Sequence, residues 1–288
     1  MRLRDLSGSI GSEVLDVDLS TDAGRLTAGD IDTLRARWDD RNLLLVRGPE
    51  LTGEQQMAFV GRFGRLLCGQ RPWAYVSNVR ADAVIRDGAL LFHSDFAFTP
   101  GPIEGISLHA MDVPADGAPT LFADASAAVT RLPASLRARL EELTVLNCYD
   151  FAQPQDEHVP ESLLSPGSPR HVHPAIGVHP RTGRPVVLAN QMHSDRLLGL
   201  PAGESDALLT ELFAVLYDPA HLMVHRWQVG DTVLWDNIAL HHGRPAPPID
   251  QPRTLQRITL GDYTPAELVP DLAGLLTRAK AAAHEAFA

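Results

Sequence analysis

The sequence predicts a single mainly β domain over residues 1–288, with a double-stranded β-helix, or jelly roll, at its centre and helices around it. Three observations support this fold class. Short apolar or alternating segments, separated by turn residues, recur along the chain, as is typical of antiparallel sandwiches and barrels. Segments with helical periodicity are few. No internal repeat, linker or low-complexity block divides the chain into parts.

Strands are predicted wherever an apolar run or an alternating segment is bounded by turn residues. Leu43 to Val46 is a continuous apolar run, which is typical of a buried strand. Pro180 to Pro185 is a hairpin turn between two more strands. The other predicted strands lie within residues 7–20, 90–98, 105–111, 119–124, 172–179, 186–189, 232–242 and 253–260.

Helices are predicted where apolar residues recur at helical spacing behind an N-terminal cap. Thr27 to Trp38 places Ile31 and Leu34 on one face, with acidic residues in its first turn. A second helix begins at the capping box that Thr52 opens and is expected to end at Gly64. Further helices are predicted at residues 126–132, 134–143, 204–217 and 266–288.

Residues 151–174 are rich in Pro, Ser, His and Asp and show little periodicity. A loop of this length without secondary structure is uncommon inside a compact domain unless it covers a binding site. We therefore expect this segment to form a mobile lid.

The composition excludes several classes of protein. The net charge of −11 argues against a nucleic-acid or anionic-membrane partner, so an anionic small molecule would need locally placed arginines. No apolar run approaches membrane-spanning length. Cys68 and Cys148 are too few for a disulfide framework, and the N-terminus shows no signal peptide, which together favour the cytoplasm. The oligomeric state stays open, a homo-oligomer included.

A candidate metal site lies in the segment His93-Ser94-Asp95. On a strand, residues two apart point to the same side, so His93 and Asp95 can reach one cation together. One distant histidine then completes three ligands. Two histidines and one carboxylate on one face of an octahedral metal leave positions open for a co-substrate and O₂, as in non-haem Fe(II) oxygenases.

Spacing alone does not identify this triplet as the site, because His193-Ser194-Asp195 has the same pattern. A separate feature is the predicted strand near the C-terminus, where Arg253 and Arg257 share one face. Two arginines on one face of a buried sheet would require an anion, whereas on an edge strand they would simply face solvent.

Several motifs in order give the chain a resemblance to one family. They are Gly11–Val14, Val17–Leu19, Leu44–Gly48, Leu51–Thr52, Gln55–Gln56, Phe63–Gly64, His93–Asp95, Gly230–Asp231, Trp235–Asn237 and His242–Arg244. Over nearly its whole length the chain resembles the taurine dioxygenase / 2,4-dichlorophenoxyacetate dioxygenase family of Fe(II)/2-oxoglutarate-dependent oxygenases. The resemblance implies a cupin-like jelly roll that uses Fe(II), 2-oxoglutarate and O₂.

The resemblance also implies roles for individual residues. It makes His93, Asp95 and His242 the iron ligands and the catalytic centre. His242 is preferred to His241 because it follows Trp235 by seven residues, as in the family pattern. Thr120 and Arg253 match the residues that bind the distal carboxylate of 2-oxoglutarate. The candidate substrate-binding residues are Arg257, Gln70, Phe92 and His193.

The expected reaction oxidises, and most simply hydroxylates, an unactivated C–H of a small organic substrate while 2-oxoglutarate becomes succinate and CO₂. An anionic substrate and a secondary-metabolite intermediate both fit the sequence, and desaturation or oxidative rearrangement stays open. Leu67 to Gln70 contains no counterpart of the taurine enzyme's sulfonate-binding histidine, which argues against taurine.

Two competing interpretations remain at this point. A cupin-like metal-dependent hydrolase or isomerase would use the same three ligands with a metal-bound water, without a need for two arginines on one face. A catalytically silent ligand-binding barrel would form no succinate.

Overall fold

The computed structural model describes residues 1–22, 25–67, 72–83, 88–101, 103–114, 119–246 and 251–285. The strands are β1 Arg2–Ser7, β2 Ile10–Leu15, β3 Leu43–Arg47, β4 Ala74–Ser77, β5 Leu90–His93, β6 Gly105–Asp112, β7 Thr120–Asp124, β8 Thr144–Cys148, β9 Arg170–Pro174, β10 Ile176–Val178, β11 Pro185–Val187, β12 Ser194–Leu197, β13 Met223–His225, β14 Asp231–Asp236, β15 Leu240–Arg244 and β16 Thr254–Leu260. The α-helices are α1 Leu19–Asp22, α2 Ala28–Arg41, α3 Gly53–Val60, α4 Ala125–Arg131, α5 Ala134–Glu141, α6 Ala202–Leu216, α7 Pro265–Leu268 and α8 Leu272–Glu285.

Two sheets form the centre of the fold. The larger sheet has seven strands in the order β1-β2-β3-β14-β6-β16-β4, and the smaller has four in the order β13-β7-β15-β5. Every pairing except that of β2 with β3 is antiparallel. Strands that are distant in the sequence, such as β3 and β14, are neighbours in the sheet. This arrangement confirms the predicted jelly-roll fold class with flanking helices.

The hydrophobic core lies in layers on both faces of the two sheets. Along β3, Leu43 and Leu45 point between the sheets, where they join Trp235 and Phe122. Leu44 and the other alternate residues of β3 pack under α2 and α3. Helices α4, α5 and α6 cover the outer face of the four-stranded sheet. The outer faces of both sheets are therefore covered by helices, and the side chains between the sheets form a layer of their own.

The helix boundaries follow from their caps. The Thr27 side chain accepts a hydrogen bond from the Asp30 N–H, and the Asp30 carboxylate accepts one from the Thr27 N–H, which together form a capping box at the start of α2. Thr52 and Gln55 form the same arrangement at the start of α3. Helix α3 ends at Val60 rather than at Gly64, because the Arg62 and Phe63 amides donate to carbonyls three residues back, which is the pattern of a tight turn and not of an α-helix.

Some strands were not predicted from the sequence. Strand β8 carries a mixed pattern, and β13 has only three residues, so neither stands out by periodicity. Residues 151–174 are not entirely loop: Glu161–Leu163 is a 3₁₀ helix, and Arg170–Pro174 pairs with β8. Within the described ranges, no helix has the length and apolar character needed to cross a bilayer.

Candidate active site

The two strands β5 and β15 bring two histidines of the predicted metal site face to face. His93 is the last residue of β5, and the strand register places it opposite His242 on β15. Their imidazole ring centroids are 4.3 Å apart. Residues directly opposite on antiparallel strands are within side-chain contact, so the register alone creates this pair.

Asp95 completes the cluster from the turn that follows β5. Its Oδ1 lies 3.1 Å from His93 Nε2 and 3.7 Å from His242 Nε2. The side-chain amide of Asn237 accepts from the Asp95 N–H at 2.9 Å and donates to the Asp95 carbonyl at 3.1 Å. Asn237 also donates to the Ile103 carbonyl at 2.7 Å. The position of the carboxylate is thus fixed through its backbone.

Arg257 contacts the other oxygen of this carboxylate. Its Nη2 pairs with Asp95 Oδ2, from strand β16 of the opposite sheet. Burial would raise the pKa of the Asp95 carboxyl, but the Arg257 charge and the His93 hydrogen bond hold that pKa well below its usual range. The carboxylate is therefore ionised, with Oδ1 turned toward the histidines. Arg257, predicted to bind substrate, already has a protein partner here.

The cluster has the donor set and protonation states that a divalent metal needs. The ligand atoms of His93, Asp95 and His242 all lie within 4.8 Å of one another, and no other such group of three occurs in the described part of the chain. His93 Nδ1 lies 2.8 Å from the Leu91 carbonyl, which fixes the tautomer with Nε2 free to bind a metal. Burial, followed by the nearby His93, lowers the pKa of His242 well below its usual value, so this ring is neutral. These residues fit a bound metal.

His241 points to the other side of the sheet, as the alternation of strand residues requires. Its Nδ1 lies 2.9 Å from the Tyr217 hydroxyl, beneath the helices. Burial lowers the pKa of His241 to about 3. The structure therefore brings only one member of this histidine pair to the cluster.

A second set of polar side chains, Arg253, Arg244 and Thr120, lies near the end of strand β15. Arg253 is 3% exposed, its Nε has no hydrogen-bond partner among the described residues, and burial followed by the charge of Arg244 lowers its pKa to about 9. Strand β15 pairs Gly243 with Leu121, so Arg244 and Thr120 occupy neighbouring positions. Buried cations are normally paired, so this pocket requires an anion.

Thr120 belongs to this anion pocket through its place on β7 and has one further partner. The Trp227 indole N–H donates to Thr120 Oγ1 at 3.0 Å. Both residues are 5% exposed. The two predicted co-substrate residues are therefore both linked to Arg244, Thr120 through the strand register and Arg253 through the effect of the Arg244 charge on its pKa.

His193 lies next to the metal cluster among aromatic side chains. Its ring makes edge contacts with His93 at 5.7 Å, with Phe98 at 5.1 Å and with Tyr149 at 5.2 Å between centroids. It is 2% exposed, and its Nδ1 has no partner among the described residues. Burial, followed by the charge of His93, lowers the pKa of His193 well below its usual value. A neutral, unpaired imidazole thus faces the site.

The remaining predicted substrate residues are placed differently. Phe92 lies on the face of β5 opposite to His93 and stacks on Tyr217 at 4.4 Å, in the core beneath the helices. The structure does not bring Phe92 to the cluster, because adjacent strand residues face opposite ways. Gln70 lies outside the described residues.

Sequence reasoning missed three residues of this site. Asn237 was read only as part of a turn and of a family motif, although its neighbour Asp236 and the two strands around it hinted at a fixed turn. Arg244 could have been found from the sequence, because it lies two residues after His242 in one of the family motifs. Trp227 carried none, because it follows the three-residue strand β13.

The chain as a whole is similar to several known proteins. A family model described as "Taurine catabolism dioxygenase TauD, TfdA family" matches residues 2–259. A relative from Sphingobium herbicidovorans, (S)-phenoxypropionate/alpha-ketoglutarate-dioxygenase, is 33% identical over 82% of this chain and 86% of the relative. The alpha-ketoglutarate-dependent 2,4-dichlorophenoxyacetate dioxygenase of Cupriavidus pinatubonensis is 31% identical over 80% and 88%. The crystal structure of AAD-2 with Mn(II) and N-oxalylglycine matches with a TM-score of 0.75 and 26% identity, over 92% of this chain and 98% of that one.

Proposed function

This chain belongs to the TauD/TfdA dioxygenase family, and from that premise we propose that it hydroxylates an unactivated C–H of a small carboxylate substrate with an apolar body. The enzyme is an Fe(II)- and 2-oxoglutarate-dependent dioxygenase that uses O₂. What the proposal adds is the substrate, the type of oxidation and the roles of individual residues. The observation that carries it is the meeting of His93, Asp95 and His242 within 4.8 Å of one another.

In this proposal, these three residues hold the iron. Bound Fe(II) supplies O₂ activation coupled to the oxidative decarboxylation of 2-oxoglutarate, which is chemistry that side chains lack. The protein's part is to present two imidazole nitrogens and one ionised carboxylate oxygen on one side. Arg257 holds Asp95 Oδ2, so that only Oδ1 is turned toward the histidines. Asp95 would therefore offer Oδ1 to the metal, while its Oδ2 stays paired with Arg257.

Arg253 and Thr120 then bind the distal carboxylate of 2-oxoglutarate. The support is the unsatisfied Arg253 guanidinium in a pocket that already contains a second arginine. A carboxylate placed there would compensate the buried charge, and the planar guanidinium favours two parallel hydrogen bonds to it. A hydrolase or isomerase working at the same metal would leave this arginine without an anion, so no observation favours that alternative.

The substrate is proposed to lie on the side of His93 where the aromatic residues gather. Phe98 and Tyr149 offer apolar surface, and His193 offers a neutral polar nitrogen between them. Arg257 is paired with Asp95 beside the metal ligands, and a substrate carboxylate would share it with Asp95. The named substrates of two relatives, phenoxypropionate and 2,4-dichlorophenoxyacetate, combine a carboxylate with an apolar ring, which fits such a pocket.

Residues 151–174 are proposed to act as the lid of this pocket. The Gln155 carbonyl accepts from the Leu91 N–H at 3.0 Å, two residues before His93. Phe151 packs on Tyr149 with ring centroids 4.9 Å apart. The segment is therefore attached beside the substrate space at its start, while β9 attaches its end.

An anaerobic titration with Fe(II) and 2-oxoglutarate tests the assignment through the visible charge-transfer band of the chelate. We expect the band in wild type and in His193→Ala, its loss in His93→Ala, and much weaker 2-oxoglutarate binding in Arg253→Ala. Succinate release in the presence of aryloxy carboxylates then identifies the substrate. A wild-type protein without the band would overturn the residue assignment, and succinate release independent of all carboxylates tested would overturn the substrate class.

A further inference from the structure

We propose that Trp227 is a positioning residue for 2-oxoglutarate, acting through Thr120. Its indole N–H donates a hydrogen bond to the Thr120 hydroxyl oxygen. The hydroxyl can then donate its own proton to the distal carboxylate of 2-oxoglutarate. This inference rests on the proposed function, because it assumes that Thr120 and Arg253 bind 2-oxoglutarate.

The contact between the two side chains is buried and held in place. Trp227 Nε1 lies 3.0 Å from Thr120 Oγ1, and both residues are 5% exposed. Strand β13 pairs His225 with Thr120, and this pairing fixes the backbone that leads to Trp227, two residues later. The Trp227 ring also stands edge-on to His225, with centroids 4.5 Å apart, and packs in the core between the sheets. The indole therefore has one orientation.

The chemistry of the two groups sets the direction of the hydrogen bond. An indole N–H only donates, whereas a threonine hydroxyl has one proton and two acceptor lone pairs. Trp227 must therefore donate to Thr120, and the hydroxyl proton has to point elsewhere. No other hydrogen bond to Thr120 Oγ1 is made by the described residues. A carboxylate accepts only, so a hydroxyl whose acceptor side is already engaged is oriented for it.

The surroundings make this orientation useful to an anion. Thr120 lies beside Arg244, whose charge acts on the unpaired Arg253. A free hydroxyl in such a pocket could also turn its lone pairs toward a guanidinium and so present no proton to a ligand. The Trp227 hydrogen bond selects the donating arrangement before the ligand arrives, which reduces the cost of ordering on binding.

The test measures binding, not turnover. We would titrate 2-oxoglutarate and, separately, 2-oxobutyrate into the anaerobic Fe(II) enzyme, and N-oxalylglycine into the Mn(II) enzyme. Trp227→Phe keeps a ring but removes the N–H. We expect 2-oxoglutarate and N-oxalylglycine to bind about 5- to 15-fold more weakly, the usual worth of one hydrogen bond. Binding of 2-oxobutyrate, which lacks the distal carboxylate, should not change.

A double-mutant cycle shows whether the effect passes through Thr120. Thr120→Val should weaken 2-oxoglutarate binding, and Thr120→Ser should bind it as wild type does. The double variant Thr120→Val/Trp227→Phe should bind 2-oxoglutarate less than about twofold more weakly than Thr120→Val alone. The matched control is Trp38→Phe, because the Trp38 indole is also buried, on the inner face of α2, and has no partner for its N–H among the described residues. Its binding constants should equal those of wild type.

Two results would overturn the inference. One is unchanged 2-oxoglutarate binding in a folded Trp227→Phe protein, as judged by thermal unfolding and near-ultraviolet circular dichroism. The other is an equal loss of 2-oxobutyrate binding or a fully additive double mutant, either of which means general damage to the pocket. If Trp227→Phe does not fold, the restoration by Thr120→Ser against Thr120→Val still decides whether the hydroxyl donates. A wild-type enzyme without a chelate band, or Arg253→Ala with normal binding, would instead contradict the proposed function.

Discussion

Two triplets of identical sequence lie in different environments in this chain. In His93-Ser94-Asp95 the imidazole and the carboxylate turn toward one point, with His93 Nε2 and Asp95 Oδ1 3.1 Å apart. In the triplet that begins at His193 they separate. The Asp195 carboxylate accepts from the Glu161 amide at 2.7 Å and pairs with Arg196, whereas His193 turns toward the aromatic residues of the site.

The difference arises in the backbone after each histidine. Strand β5 ends at His93, and Asp95 stands in a turn whose next residue, Phe96, has a φ of +62°. In the second triplet the strand begins after the histidine, and its pairing with β8 shifts register between Ser194 and Arg196. A histidine and an aspartate two residues apart therefore form a pair of metal ligands only when the backbone turn after the histidine brings their side chains together. The rule that strand residues two apart share a face does not by itself explain either triplet.

The largest expected contrast comes from removing one carboxylate from each triplet. Asp95→Ala should abolish the chelate band and lower 2-oxoglutarate turnover by more than about 100-fold, since even groups that only support metal ligands are worth 10–100-fold. Asp195→Ala should leave the band intact and reduce the free energy of unfolding by about 1–2 kcal/mol, because it frees the Glu161 amide. Both variants are measured by anaerobic titration and by denaturant unfolding. Equal loss of the band in both would make the second triplet part of the metal site.

We expect a smaller difference between substitutions of the two asparagines whose side chains bond to the backbone of the triplets. Asn237 bonds to the Asp95 backbone, whereas Asn190 accepts from the His193 N–H at 2.9 Å. Asn237→Ala should weaken Mn(II) binding about 10- to 100-fold, as loss of support for a ligand does. Asn190→Ala should cost about 1–3 kcal/mol of stability and leave Mn(II) affinity within about threefold of wild type. Metal titration followed by electron paramagnetic resonance distinguishes the two, and unaltered Mn(II) affinity in Asn237→Ala would show that the turn holds itself.

Much of the fold could be predicted from the sequence because its elements carry local signals. The capping box at Thr52 and the apolar run of β3 depend on neighbours in the chain, and the structure confirms them. Strand β13 carries no such signal, since three residues are too few for a period, and its place is set by pairing with β7. Trp227 was missed together with it.

The site shows the same division between local and distant information. Spacing proposed His93 and Asp95, and the family pattern proposed His242, and these three do come together. The contact of Arg257 with Asp95 joins residues 162 positions apart, across two sheets, and no sequence period reports it. Phe92 was expected beside the substrate, but the alternation of strand residues places it on the face of β5 opposite to His93.

His193 should affect the substrate rather than the metal. His193→Phe keeps an aromatic ring among Phe98 and Tyr149 but removes the nitrogen that faces the site. We expect an unchanged chelate band and a KM for the wild-type substrate raised about tenfold, the worth of one hydrogen bond. Succinate release against substrate concentration measures this change. An unchanged KM would place His193 outside the substrate pocket, and a lost band would place it with the ligands.

The smallest contrast concerns acid stability of the metal-free protein. The folded chain holds the pKa of His193 well below its usual value, first through burial, so the folded state prefers the neutral ring. The unfolded state takes up the proton near pH 6.5, and stability is therefore complete above about pH 6.5 and falls as the pH decreases. His193→Phe should flatten the loss between pH 6.5 and 5 by up to about 1.4 kcal/mol per pH unit, the value for one proton. The control is His221→Phe, because the exposed His221 is solvated in both states. Urea unfolding at several pH values measures the slopes, and an unchanged slope in His193→Phe would mean that its neighbours in the site take up the proton in its place.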